Sequence, residues 1–202
     1  MRVDRLYDFL APIYDRVITP LDGTALSRAV ERLKAGEPRT ILEVAVGAGR
    51  GLRELVERTK AVVTAVDSSP GAIAVARRAA TDSVRLARAN SMQLPFKDGA
   101  FDAVVSTYLI ELLSADEGRQ VLMEMSRVTA PGGRMVVGVL QVFNPIVQKA
   151  LGLAERVAPE LLGQRPLMHL SGLLPLPGFR LLLDETIQGA VGMRLFTMVK
   201  TG

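Results

Sequence analysis

The sequence predicts an α/β fold: a doubly wound, mostly parallel sheet of seven strands, one of them antiparallel, with helices on both faces. Three observations carry that prediction. The stretch Thr40 to Gly51, T-I-L-E-V-A-V-G-A-G-R-G, is an apolar run closed by glycines, which is how a strand buried on both faces reads before it turns into a helix. Short apolar runs and helix-period segments then alternate along the chain, the pattern of parallel strands joined by crossover helices. The second such run ends in Asp67, an acid at the carboxyl edge of the sheet, where open α/β sheets hold their ligands.

Taken in order, Val3 to Leu21 carries Leu6, Phe9, Leu10, Ile13, Tyr14 and Val17 at helical spacing, interrupted by Pro12, and predicts two short helices or one kinked helix. Asp22 can cap a second helix running to about Lys34, with Leu26, Val30 and Leu33 on one face and Gly36 and Pro38 ending it. After the glycine loop, Leu52 to Arg58 continues as a helix whose N-terminus points at the ligand. Ala61 to Val66 is the second strand, and Ser69 followed by Pro70 caps the helix Gly71 to Ala80. A third strand falls at about Ser83 to Ala87, and Phe101 to Ser106 opens a fourth whose carboxyl end continues into Thr107 to Leu112. Asp116 to Val128 reads as an amphipathic helix, and A-P-G-G-R at Ala130 to Arg134 as a turn before the fifth strand, Met135 to Leu140. Phe143 to Leu170 is helical in pattern, with Pro145, Pro159 and Pro166 as punctuation. Leu181 to Thr186 and Met193 to Lys200 supply the last two strands, one of them antiparallel. No linker or repeat is visible, so 1–202 reads as one domain.

Composition narrows the function. A chain of 202 residues can bury a sizeable core by itself. Its mean hydropathy of +0.25 is toward the apolar end, yet no run approaches the length of a spanning helix. The start M-R-V-D-R-L-Y-D has an early acid and no apolar core before a cleavage site, so a cytoplasmic protein is expected. With no cysteine and one histidine, there is little material for a metal site and none is expected. Net charge is 25 minus 21, or +4, which favours anionic surfaces only mildly. Aromatics interleaved with basic residues are lacking, which makes nucleic acid an unlikely partner.

The glycine loop can be read further. A dinucleotide fingerprint needs G-x-G-x-x-G, whereas Gly47, Gly49 and Gly51 give G-x-G-x-G. A P-loop needs Gly-Lys-Ser/Thr, and neither lysine nor hydroxyl is present. At Gly47 and Gly49 the missing Cβ lets a ligand lie directly against the peptide groups. Glu43 is a carboxylate inside an otherwise apolar strand, so it needs either a cationic ligand or a structural partner such as arginine. Asp67, with Ser68 beside it, can accept both hydroxyls of a ribose; the alternative is a helix-capping role. Ser106 and Thr107, at the end of the fourth strand, are further candidates for the same ligand.

Glu43, Gly47 and Gly49 together resemble motif I of the class I S-adenosylmethionine-dependent methyltransferases, with Ala45 at the place of the motif's first glycine. The wording E-V-A-V-G-A-G is similar to the branch that includes ubiquinone and menaquinone biosynthesis enzymes and some phospholipid N-methyltransferases. A-R-A-N-S-M-Q-L-P-F resembles the adenine-binding segment of that family, with Asn90 replacing the usual Asp and Ser91 as the small residue; alternatively Asn90 serves turn geometry. E-M-S-R-V-T-A-P-G-G-R resembles the family's signature after the last core helix. The Tyr14-Asp15 pair resembles one that lies near the bound cofactor in a lid-like N-terminal segment.

The resemblance implies a Rossmann-like sheet with lid helices over 1–36, a cofactor-binding core over 40–140, an acceptor-site insertion over 141–170 and closing strands over 171–202. It implies S-adenosylmethionine as cofactor and S-adenosylhomocysteine as product. The acceptor is then a small, amphiphilic or apolar molecule such as a quinone precursor or a phospholipid headgroup amine; a soluble metabolite, or binding without catalysis, is the alternative. Apolar stripes with nearby Arg or Lys in Val3 to Leu21 and Phe143 to Leu170 are compatible with peripheral contact to an anionic membrane. An acceptor that needs a base has Tyr14, Asp15, Glu111 and His169 as candidates, although Glu111 reads equally as a solvated helix-start acid and His169 as structural.

Overall fold

The computed structural model describes residues 23–141, 176–188 and 192–202. The kinked helix before Leu21, the Asp22 cap, the 143–170 insertion, and with them Tyr14, Asp15 and His169, lie outside the described residues.

Seven strands form one sheet in the order β3-β2-β1-β4-β5-β7-β6. They are β1 (Thr40–Val44), β2 (Val62–Asp67), β3 (Val84–Arg88), β4 (Phe101–Thr107), β5 (Thr129–Gln141), β6 (Phe179–Ile187) and β7 (Gly192–Lys200). β1 pairs in parallel with both β2 and β4, β2 with β3, and β4 with β5. Only β7 runs against its neighbours, antiparallel to β5 on one side and β6 on the other. Among the described residues four helices accompany them: α1 (Gly23–Lys34), α2 (Arg50–Thr59), α3 (Pro70–Ala79) and α4 (Ala115–Val128).

Strand alternation divides the core. Ile41, Ala103 and Val105 face one side, where Val30 and Leu33 of α1, Leu52 and Leu55 of α2 and Ile73 and Ala76 of α3 are buried against them. Leu42, Val44 and Val104 face the other, packed on Val121, Leu122, Met125 and Val128 of α4. Both faces of the central strands are dry, which is why they read as unbroken apolar runs. The outer strand is tied back by ions: Arg32 of α1 forks onto Glu185 of β6 with bonds of 2.6 and 2.8 Å.

Two boundaries differ from expectation. A-P-G-G-R is a bulge inside β5 and not a turn before it, because Thr129 already pairs with Phe101 while Arg134 pairs with Ala103. A Cβ on Gly133 would stand 2.8 Å from the carbonyl oxygens of Ala130 and Asp102, so the bulge closes only around glycine. β4 stops at Thr107. Tyr108 takes φ 59 and a 3-10 turn follows over Ile110–Leu112, so that segment leaves the sheet and bends over its carboxyl edge.

α4 starts from a reciprocal cap. Ser114 Oγ accepts from Glu117 N at 3.4 Å, and Glu117 Oε2 accepts from Ser114 N at 2.9 Å. Ser114→Ala is expected to cost about 1 kcal/mol of unfolding free energy, and Ser114→Thr much less. Urea unfolding of the three proteins checks this; equal midpoints for wild type and Ser114→Ala would show that the cap contributes nothing.

Candidate active site

In this strand order the chain reverses direction between β1 and β4, and the crevice at the carboxyl ends of those strands is where such a sheet receives a ligand. A cavity of about 440 Å³ lies there, within the range of small-molecule sites. Its first wall is the loop after β1. Ala45 turns the chain with φ 61, a left-handed conformation that costs an alanine strain and a glycine none. Val46 N then donates to Val66 O at 3.0 Å and Gly47 N to Asp67 Oδ2 at 2.9 Å, so the loop is held against the end of β2.

Asp67 does two jobs. Its Oδ1 accepts from Ser69 N at 2.9 Å while Oδ2 holds Gly47, and Ser69 Oγ caps α3 by accepting from Ala72 N at 3.2 Å. Asp67 also lines the cavity. Burial pushes the Asp67 carboxyl above its ordinary range, against the amides of Ser69, Gly47 and Ser68, which favour the charged form.

Glu43 is the less satisfied acid. It is 7% exposed, lines the cavity, and its Oε2 has no hydrogen-bond partner among the described residues. Burial lifts its carboxyl to about 8, and the charge of Asp67 pushes the same way. No arginine pairs with it among the described residues. A buried acid with an oxygen left unbonded costs free energy, and burial here favours its neutral form.

Of the residues singled out from sequence, Glu43, Ala45, Gly47, Asp67, Ser68, Asn90, Ser91 and Thr107 line this one cavity. Asn90 Oδ1 also accepts from Met92 N at 3.0 Å, so it shapes its own turn while facing the cavity. Three residues do not line it. Gly49, with φ 75, faces α3, where a Cβ would meet the Ala76 Cα at 2.9 Å; it is a packing glycine. Ser106 is buried on the other side of β4 from Thr107 and donates to Val44 O at 2.9 Å. Glu111 Oε1 accepts from Leu140 N at 3.3 Å, tying the 3-10 turn to β5.

Sequence reasoning missed Leu26, Arg50, Arg88, Met92, Tyr108, Leu109, Leu112, Leu113 and Glu117, all in the cavity wall. The leucines read as core in sequence, and Leu109 and Leu113 do pack against the core as well as lining the cavity. Arg88, one turn of chain from Asn90 at the end of β3, had its place at the carboxyl edge as a signal.

The strand order, the cavity at the sheet's reversal point and the strand-loop-helix cradle define the Rossmann-like fold of a class I methyltransferase. A methyltransferase-domain family model matches residues 41–133. The chain is 38% identical to a demethylmenaquinone methyltransferase of Thermus thermophilus over 177 residues, which cover 84% of this chain and 76% of that protein. Among solved structures, the N-methyltransferase NodS of Bradyrhizobium japonicum, bound to S-adenosylhomocysteine, superposes with a TM-score of 0.63 at 18% identity, covering 87% of this chain and 86% of that one. The 1,6-didemethyltoxoflavin-N1-methyltransferase of Burkholderia thailandensis, also with S-adenosylhomocysteine, gives 0.66 at 20% identity, covering 98% and 88%.

The chain belongs to the class I S-adenosylmethionine-dependent methyltransferases, in the branch that contains the quinone-biosynthesis enzymes. It is an enzyme, and its methyl donor is S-adenosylmethionine. The site suits that donor: Glu43, with one oxygen unbonded among the described residues, and Asp67 both line the cavity.

The Glu43 carboxyl has a consequence for stability. Between its ordinary value of 4.5 and about 8, the folded protein keeps this proton and the unfolded chain releases it, so stability falls as pH rises through that window. At steepest the slope is about 1.4 kcal/mol per pH unit. Glu43→Gln is expected to match wild type at about pH 4 and to exceed it by a few kcal/mol at about pH 8.5. Urea unfolding at both pH values decides; a difference that does not change with pH would show that Glu43 is not held protonated.

Proposed function

We propose that this enzyme methylates an amphiphilic acceptor of the quinone-precursor class. The observation that carries the reading is the 38% identity, across 76% of its length, to a protein named demethylmenaquinone methyltransferase. The cavity supports it. Met92, Leu109, Leu112 and Leu113 give the cavity an apolar part, a surface suited to an uncharged ring and to excluding water.

In this reading Asp67 accepts from the ribose hydroxyls, Glu43 takes the amino group, and Gly47 lets the amino-acid end lie against the backbone. Asn90, Ser91 and the Ser68 backbone surround the nucleoside, and Thr107 lies under the reaction centre. When bound, the cofactor supplies a methyl group on a positively charged sulfur. The protein's part is to hold that group in line with the acceptor and keep the site dry. Ring-carbon methylation also requires a proton to leave, and Tyr14, Asp15 and His169, outside the described residues, are the proposed bases. Glu111, whose Oε1 accepts from Leu140 N, is the fourth candidate base.

No helix among the described residues is long and apolar enough to cross a membrane. In this reading an apolar acceptor is met at a membrane surface, with the protein on its cytoplasmic side. Arg77 and Arg78 at the end of α3 and Arg85 on β3 are exposed and suit anionic headgroups.

A methyl-labelling assay with quinone precursors, lipid extract and polar metabolites as separate pools, each with anionic vesicles, is expected to label the quinone pool and to sediment the protein. Label in the polar pool alone, with the protein in the supernatant, would overturn both parts. Asp67→Ala is expected to weaken S-adenosylhomocysteine binding by about 2 to 4 kcal/mol, since charge-assisted hydrogen bonds are lost and the Gly47 amide is released. A titrated dissociation constant within threefold of wild type would remove Asp67 from the site.

A further inference from the structure

Residues 89–100, between β3 and β4, contain no helix or strand, yet their backbone is held at one point after another by α4. Gln120, Glu124 and Arg127 form a stripe on that helix at spacings of four and three residues. Gln120 Nε2 donates to Met92 O at 3.2 Å and Leu94 N donates to Glu124 Oε2 at 2.8 Å. Arg127 donates to Leu94 O at 3.0 Å and to Phe96 O at 2.7 Å, and Gly99 N donates to Arg127 O at 2.9 Å.

The pair at the centre is saturated. Arg127 reaches both Glu124 oxygens at 2.8 Å and Asp98 Oδ1 at 2.8 Å, so all its N–H donors have acceptors. Such a pair, partly open to solvent, adds little by Coulomb attraction alone. Its distinctive feature is that it binds peptide groups, which fixes the path of the chain. That path leads directly into Asn90, Ser91 and Met92, which line the cavity, and Glu117, one turn before Gln120, lines it too.

We propose that Glu124 and Arg127 are positioning residues for the cofactor's base: by clamping the backbone of 94–99 they set the Asn90–Met92 wall and, through it, discrimination of the purine. The inference rests on the cofactor reading above, in which that wall meets adenine. A wall held by backbone bonds cannot shift without orphaning several carbonyls at once. A wall held by one side chain could.

The test is isothermal titration, well below the unfolding temperature, with S-adenosylhomocysteine and with S-inosylhomocysteine, which carries a carbonyl in place of the adenine amino group. Wild type is expected to prefer the adenosyl compound by about tenfold or more, as sites built to hydrogen-bond a group reject its replacement. Arg127→Met is expected to bring that preference within about threefold, and Arg127→Lys to restore part of it, since lysine keeps a donor but loses the fork. Gln120→Ala, which removes one exposed bond and leaves the core alone, should lower it by about twofold.

A merely structural pair would lower the melting temperature and leave the preference unchanged. An unchanged preference in Arg127→Lys and Gln120→Ala overturns the proposal even if Arg127→Met fails to fold. Wild type that binds both compounds equally also overturns it while sparing the donor site; wild type that binds neither removes the cofactor reading itself.

Discussion

Two peptide amides from different loops, Gly47 and Ser69, converge on the carboxylate of Asp67, and the rest of the site hangs on that junction. It fixes the glycine loop after β1 against the start of α3, so the cavity has a floor before any ligand arrives. The sheet makes this possible by holding β1 and β2 in parallel register, Val44 beside Val66. Short, charge-assisted bonds in a site largely closed to water keep the junction rigid.

Glu43 sits on the other side of the account. It is a buried acid with an oxygen that no described residue satisfies, next to a second acid, and the fold bears that strain in the absence of a cation. Such local destabilisation at a functional position is common where a site is built for a charged ligand. Folding stability and the protonation of this one carboxyl group are thus coupled.

α4 links the two halves of the site. Its apolar side fills the core with Val121, Leu122, Met125 and Val128, while its polar side carries Glu117, Gln120, Glu124 and Arg127 along the chain segment beyond β3. One helix therefore both closes a face of the sheet and shapes a cavity wall. The bulge in β5 that follows it aligns Arg134 with β4 and carries the strand on to β7.

The sheet was legible in the sequence because strands buried on both faces must be apolar throughout, and helices between them must show a stripe. Glu43, Gly47 and Asp67 were legible for a related reason: a carboxylate inside an apolar run, or a glycine at its end, has few purely local explanations. Gly49, Ser106 and Glu111 look the same in sequence as cavity residues, and only packing against Ala76, Val44 and Leu140 turns them away. Leu113 shows the converse, since one apolar side chain packs against the core and lines the cavity at once, beyond the left-handed turn at Tyr108. Arg127 is a charged residue in a helix until β3, α4 and the loop between them are brought together. Sequence alone determined which residues could be buried and which chemistry they carried; the direction in which each side chain points was decided by contacts between segments far apart in the chain.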